Sequence, residues 1–160
     1  MKRILLLAAL LLGVAPASTP LAQLAGKWWC STAKGSAVAT AYTVAANGDV
    51  TQHQEWAGSD GKAGGSWDQT FRYDPKTQMW VVRNVGSNGW VFAGTSRDGS
   101  DRRIFEIRGT QNDGQTTSPE RERYIFDLPS SYTLLWEKQV KGAWTLESYS
   151  DCTFAGPGSR

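Results

Sequence analysis

The chain has 160 residues, with 17 basic side chains against 15 acidic, two cysteines and one histidine. Its 40% hydrophobic and 20% charged content suits one globular domain and excludes a disordered tail or a multi-span membrane protein. Two cysteines are too few for a disulfide-dense miniprotein or a four-cysteine zinc site, and one histidine leaves little for a histidine-built metal cluster.

Residues 1–17, MKRILLLAALLLGVAPA, read as a signal peptide. Lys2 and Arg3 begin it, and the apolar run from Ile4 to Ala15 is too short for a stable span. Ala15 and Ala17 are the small residues a signal peptidase reads, so cleavage is expected after Ala17. A cut after Ala22 would put Pro20 at the third position before it, and an uncleaved anchor is the remaining alternative. No cysteine follows closely, so neither lipid attachment nor a stable membrane anchor is expected. The destination is periplasmic or extracellular. Cleavage leaves 143 residues with 15 basic and 15 acidic side chains. A neutral mature chain lacks the basic excess of a nucleic-acid binder.

Segment 18–25 has room for a short helical turn. Beyond it, apolar and polar residues alternate with period two between turn signals. The first candidate strand is Lys27–Ser31. Ala37–Ala45 and Val50–Trp56 follow, joined by Asn47-Gly48, a hairpin signal. Ser66–Asp74 alternates most cleanly, with Trp67, Gln69, Phe71 and Tyr73 on one face. Asp74-Pro75-Lys76-Thr77 makes a turn. Then come Trp80–Val85, Trp90–Gly94 and Arg103–Arg108, separated by glycine-rich turns. Arg121–Asp127 places Glu122, Tyr124 and Phe126 together, and Tyr132–Lys138 places Tyr132, Leu134 and Trp136 together. Trp144–Phe154 places Trp144, Leu146, Ser148, Ser150 and Cys152 together.

Ten strands on short connections must be antiparallel to their neighbours. A meander this long curls or splits if left open, and closure removes both edges. The expected fold is therefore all-β: a single antiparallel up-and-down barrel of about 8–10 strands over 26–154, with a tail at 155–160. A two-sheet sandwich is the alternative. Cys30 lies in the first strand and Cys152 in the last, which closure makes neighbours. In an exported chain that predicts a disulfide. Two buried thiols or a reactive pair are the other readings.

Leu24-Ala25-Gly26-Lys27-Trp28 resembles the G-x-W signature that opens lipocalins and related calycin barrels. With Cys30 and a C-terminal cysteine, the chain also resembles small secreted bacterial calycin-like domains that start G-x-W-x-C. The resemblance implies that Gly26 and Trp28 sit at the barrel's closed base, after a short turn of helix in which Leu21 and Leu24 plug the base. Ten strands fit the fatty-acid-binding-protein and nitrobindin branches better than an eight-strand lipocalin. Nitrobindins bind haem through a histidine near the C-terminus. Here the sole histidine is His53, read as a solvent-facing strand residue beside Thr51 and Glu55. No cofactor or metal is expected.

Taking the more apolar face of each strand as interior gives the pocket candidates Gln54, Trp56, Gln69, Phe71, Tyr73, Trp90, Phe92, Glu122, Tyr124 and Trp136. Gln52, Trp67, Trp80, Asn84, Phe105, Phe126, Ser148 and Ser150 share that side. Aromatic walls with a few amides and one carboxylate suit a small, partly apolar or amphipathic ligand. The alternative is a barrel filled solid by its aromatics. Glu122 has a choice between pairing with Arg103 or Arg121, facing solvent, and facing inward. No enzyme is expected: no G-x-S-x-G accompanies His53, and no second inward carboxylate is evident beside Glu122. The loop at 58–65 lacks the G-x-x-x-x-G-K-[ST] order of a phosphate loop. A second reading is an interaction module that meets a protein partner through glycine-rich loops or an outward Trp29.

Overall fold

The computed structural model describes residues 20–57, 62–97 and 103–156. The leader with its expected cleavage site and the turn at 98–100 lie outside them. A short 3-10 helix, Pro20–Leu24, precedes ten strands. These are β1 Gly26–Thr32, β2 Ala37–Val44, β3 Val50–Ala57, β4 Ala63–Asp74, β5 Met79–Gly86, β6 Val91–Arg97, β7 Ile104–Asn112, β8 Thr117–Asp127, β9 Ser131–Val140 and β10 Ala143–Gly156. Each pairs antiparallel with the next, and β10 returns to β1, so the sheet is a closed barrel and not a sandwich.

Local chemistry makes the meander. Gly48 takes the left-handed conformation in the β2–β3 turn (φ 85°), which a side chain would oppose. The Asp74 carboxylate accepts from the Lys76 backbone N–H and the Thr77 hydroxyl, tying the β4–β5 turn. These bonds hold its pKa below the ordinary aspartate range.

Closure follows the expected seam. Cys30 pairs in register with Cys152, and the two form a disulfide across 122 positions of sequence. The base is capped by the short helix. Leu21 and Leu24 are fully buried, and the Trp28 indole N–H donates to the Leu24 carbonyl at 2.8 Å. The Trp28 ring meets Tyr132 and Phe154 edge-on. Gly26 holds φ 129°, and a methyl group there would stand 2.7 Å from the Phe154 ring. Glycine is therefore required where the chain enters the barrel.

Above the base lies an aromatic layer in which Phe71, Trp80, Phe105 and Tyr124 touch one another. The same alternation separates charge on β8. Glu120 and Glu122 point inward and are fully buried. Arg121 and Arg123 point outward and both clamp Glu137 of β9 with two hydrogen bonds each. Burial alone pushes Glu137 up, but the two guanidinium groups outweigh it and hold the carboxyl below its usual range.

One strand departs from strict alternation. The β9–β10 ladder has a bulge between Leu146 and Ser148. Ser150 and Cys152 keep the inward parity, but beyond the bulge the faces exchange. Leu146 is exposed, and the Trp144 ring lies outside beneath the Arg121 guanidinium, 4.7 Å from its centroid. The expected five-residue stripe from Trp144 to Cys152 is thus split, because one extra residue shifts every side chain beyond it by one face.

Candidate functional site

The two ends of the barrel differ. Opposite the helix-capped base, the ends of β3, β5, β7 and β9 meet the starts of β4, β6, β8 and β10. Here Trp56, Trp67, Trp90 and Trp136 cluster. Trp67 is the hub, with ring centroids 5.0 Å from Trp56, 5.9 Å from Trp90 and 6.2 Å from Trp136. Glycines make room for these rings. A methyl on Gly64 or Gly65 would fall 2.3 or 2.7 Å from the Trp56 indole.

Two hollows flank the cluster. One of about 280 Å³ is lined by the four tryptophans with Gly86, Asn88, Gln111, Glu147 and Ser148. The other, about 340 Å³, has Gln54, Trp56 and Trp67 against Thr32, Lys34, Ser36, Glu147, Ser148 and Ser150. The bulge supplies Glu147 to both. A bulge next to a cavity commonly re-aims a side chain in this way.

Under the tryptophans runs a polar layer. The Gln52 amide donates to the Tyr42 hydroxyl at 2.6 Å, which lies 2.9 Å from the Tyr132 hydroxyl. The Tyr124 hydroxyl donates to Gln69 Oε1, and the Gln69 side-chain amide donates to Glu122 Oε2 at 2.7 Å. The Trp136 indole N–H donates to Glu120. Burial pushes Glu122 up to about 8, against the lowering effect of the Gln69 bond and with help from the Glu120 charge. Burial also raises Glu120, opposed by the Trp136 bond, and raises the Tyr42, Tyr124 and Tyr132 phenols.

The layer is incompletely paired. Gln52 Oε1, both amide atoms of Asn84, Glu122 Oε1 and the Trp67 indole N–H are buried without a hydrogen-bond partner. Each such atom costs about 1–3 kcal/mol unless something meets it. Buried polar atoms of this kind are ordinarily met by water or by a ligand group.

Of the sequence-derived candidates, Trp56, Trp90 and Trp136 stand at this mouth, with Gln54 in the wall of the larger hollow. Gln69 and Glu122 form the polar layer, and Phe92 supports the Trp136 ring edge-on. Phe71 and Tyr124 belong to the aromatic layer below, although the Tyr124 hydroxyl reaches Gln69. Tyr73 lies against Trp80 near the base. Gly26 and Trp28 are at the closed end. Glu122 faces inward, and no arginine reaches it among the described residues. Two corrections follow. A second inward carboxylate does exist, Glu120; Pro119 makes the start of β8 read as a turn, yet the strand begins at Thr117 and Pro119 pairs opposite Thr110. Glu147 was also missed, because no residue-level signal marks the bulge.

His53 is outward. Its Nδ1 lies 2.7 Å from Asp68 and its Nε2 lies 3.3 Å from Glu55, both exposed carboxylates. The Asp68 bond, then the Glu55 bond, raises the imidazole's pKa. The chain's single imidazole therefore cannot serve the interior. Trp29 is also outward and 59% exposed. It stands beside Ala39, with Ala37 lining one groove next to it, of about 640 Å³, and Ala41 another, of about 420 Å³.

No family model matches the chain, and no curated protein is similar to it in sequence. Among solved structures, the crystal structure of Rv2717c from M. tuberculosis is similar with a TM-score of 0.68. The match covers 89% of this chain and 99% of that one, at 13% sequence identity. The fold is lipocalin-like. At this identity the likeness is one of fold, and the interior side chains must speak for function.

Proposed function

We propose that the protein is an exported binding module that takes a small, partly apolar ligand at the tryptophan end of its barrel. The asymmetry of the two ends carries this reading. One end is sealed by leucines and Trp28 in a bonded cap. The other has four tryptophans around two hollows, above buried polar atoms that lack partners. Apolar walls supply affinity and a few fixed polar groups supply orientation. The closing disulfide suits the oxidising periplasm or extracellular space. The reading is one of binding, not catalysis: neither hollow is lined by Glu120 or Glu122, and the single histidine lies on the outer face.

The test is to purify the mature protein from the periplasm, extract it with organic solvent and identify what elutes by mass spectrometry. Candidates are then titrated by tryptophan fluorescence. A co-purifying small molecule that rebinds stoichiometrically and quenches the signal is expected. A protein that carries nothing and responds to none of a broad panel refutes the reading. The exposed Trp29 over its alanine-floored grooves favours a second role, contact with another protein, and a pulldown with Trp29→Ala as control tests it.

A further inference from the structure

We infer that the smaller hollow at the barrel mouth selects a small organic cation, a protonated or quaternary amine carrying an apolar body. The inference rests on the binding-module reading and adds the charge of its ligand. Four observations carry it. The hollow is walled by the rings of Trp56, Trp67, Trp90 and Trp136. An indole face is the best neutral partner for an ammonium group. The one charged residue among its lining side chains is acidic, Glu147, brought there by the β10 bulge.

Behind the rings stand two further carboxyl groups. Glu120 accepts the Trp136 indole N–H. An indole that donates its N–H to a carboxylate gains electron density over its face, which strengthens its attraction for a cation. Glu122 lies one inward position further down β8, fully buried, with Oε1 unpartnered.

The contrast with the outer surface is informative. Outside, Glu137 is held by Arg121 and Arg123, and Glu106 lies 2.6 Å from Arg108. Inside, neither Glu120 nor Glu122 has an arginine or lysine within ion-pair distance among the described residues. Lys138 stands opposite Glu120 in the β8–β9 ladder without such contact, and Lys34 lines the neighbouring hollow. The alternating Glu-Arg-Glu-Arg of β8 thus sends its bases out and leaves its acids inside. An incoming cation would add to the single distant lysine that faces Glu120 and would be met by the exposed charge of Glu147. A hollow of about 280 Å³ lies at the small end of ligand sites, so the occupant is of the size of a one-ring aryl-alkyl amine.

An isosteric charge series tests this. The disulfide-intact mature protein is titrated by calorimetry with 2-phenylethylammonium, 2-phenylethanol and phenylacetate, which share a ring and differ in charge. The ammonium is expected to bind at least tenfold more tightly than the alcohol, with phenylacetate weakest. Glu147→Gln should narrow the ammonium-to-alcohol ratio severalfold. Equal or tighter binding of the alcohol or the acid overturns the charge preference and leaves the binding-module reading standing. Failure of all three to bind overturns the cation inference, and the solvent-extraction experiment then decides the reading beneath it.

Discussion

Glu122→Gln isolates the consequence of burying a carboxyl with no cationic partner. In the folded chain Glu122 titrates at about 8, against 4.5 for an exposed glutamate. Below pH 4.5 both folded and unfolded states carry the proton, and the group adds no pH dependence. Between 4.5 and 8 the folded state keeps a proton that the unfolded state has lost, so stability falls as pH rises. Each pH unit is worth about 1.4 kcal/mol, and the full span is worth about 5 kcal/mol, comparable to the total stability of many domains. Glutamine retains an acceptor for the Gln69 amide and removes the titration. Urea unfolding of the disulfide-intact protein at pH 5, 6.5, 8 and 9 measures it. The wild type should lose stability relative to Glu122→Gln by several kcal/mol from pH 5 to 8 and little beyond 9. Parallel curves for the two proteins would show that the carboxyl is solvated or compensated, and would refute the reasoning.

Other outcomes follow from the same geometry. Replacing Cys30 and Cys152 together by alanine releases a loop of 122 positions and should cost about 5 kcal/mol on the chain-entropy estimate, read as a fall in the urea midpoint. Gly109→Ala would place a methyl 2.2 Å from the Ala93 carbonyl oxygen where β6 and β7 approach; a loss of about 3 kcal/mol is expected, and an unchanged melting temperature would count against that approach. Trp136→Phe removes the donor to buried Glu120 and should destabilise by about 2 kcal/mol at neutral pH, with recovery on acidification as the carboxyl, already raised by burial and raised further without the indole bond, takes up its own proton.

Much of this was legible in the residues. Period-two alternation and turn chemistry place ten strands, because a strand with one buried face writes its parity directly into sequence. The cysteines add long-range information: Cys30 and Cys152 are useful neighbours only if the first and last strands meet. Three features were not legible. Pro119 disguises the start of β8 and hides Glu120, although the spacing to Glu122 and Tyr124 carries the parity signal. The bulge at Leu146–Ser148 turns Glu147 to the mouth and Trp144 outward, and an extra residue in one strand is visible only against its partner. The Gln69–Glu122 bond joins residues 53 positions apart, and a contact across the lumen depends on barrel width, which no local pattern encodes.

The central claim is that one end of the barrel receives a ligand. The chain has eight tryptophans, and each indole N–H gives one resolvable proton–nitrogen correlation in an NMR spectrum of ¹⁵N-labelled protein. Titration with the tightest-binding amine should move the signals of Trp56, Trp67, Trp90 and Trp136 and leave those of Trp28, Trp80, Trp29 and Trp144 in place. Movement confined to Trp29, with the mouth signals fixed, would place recognition on the outer wall and contradict the account.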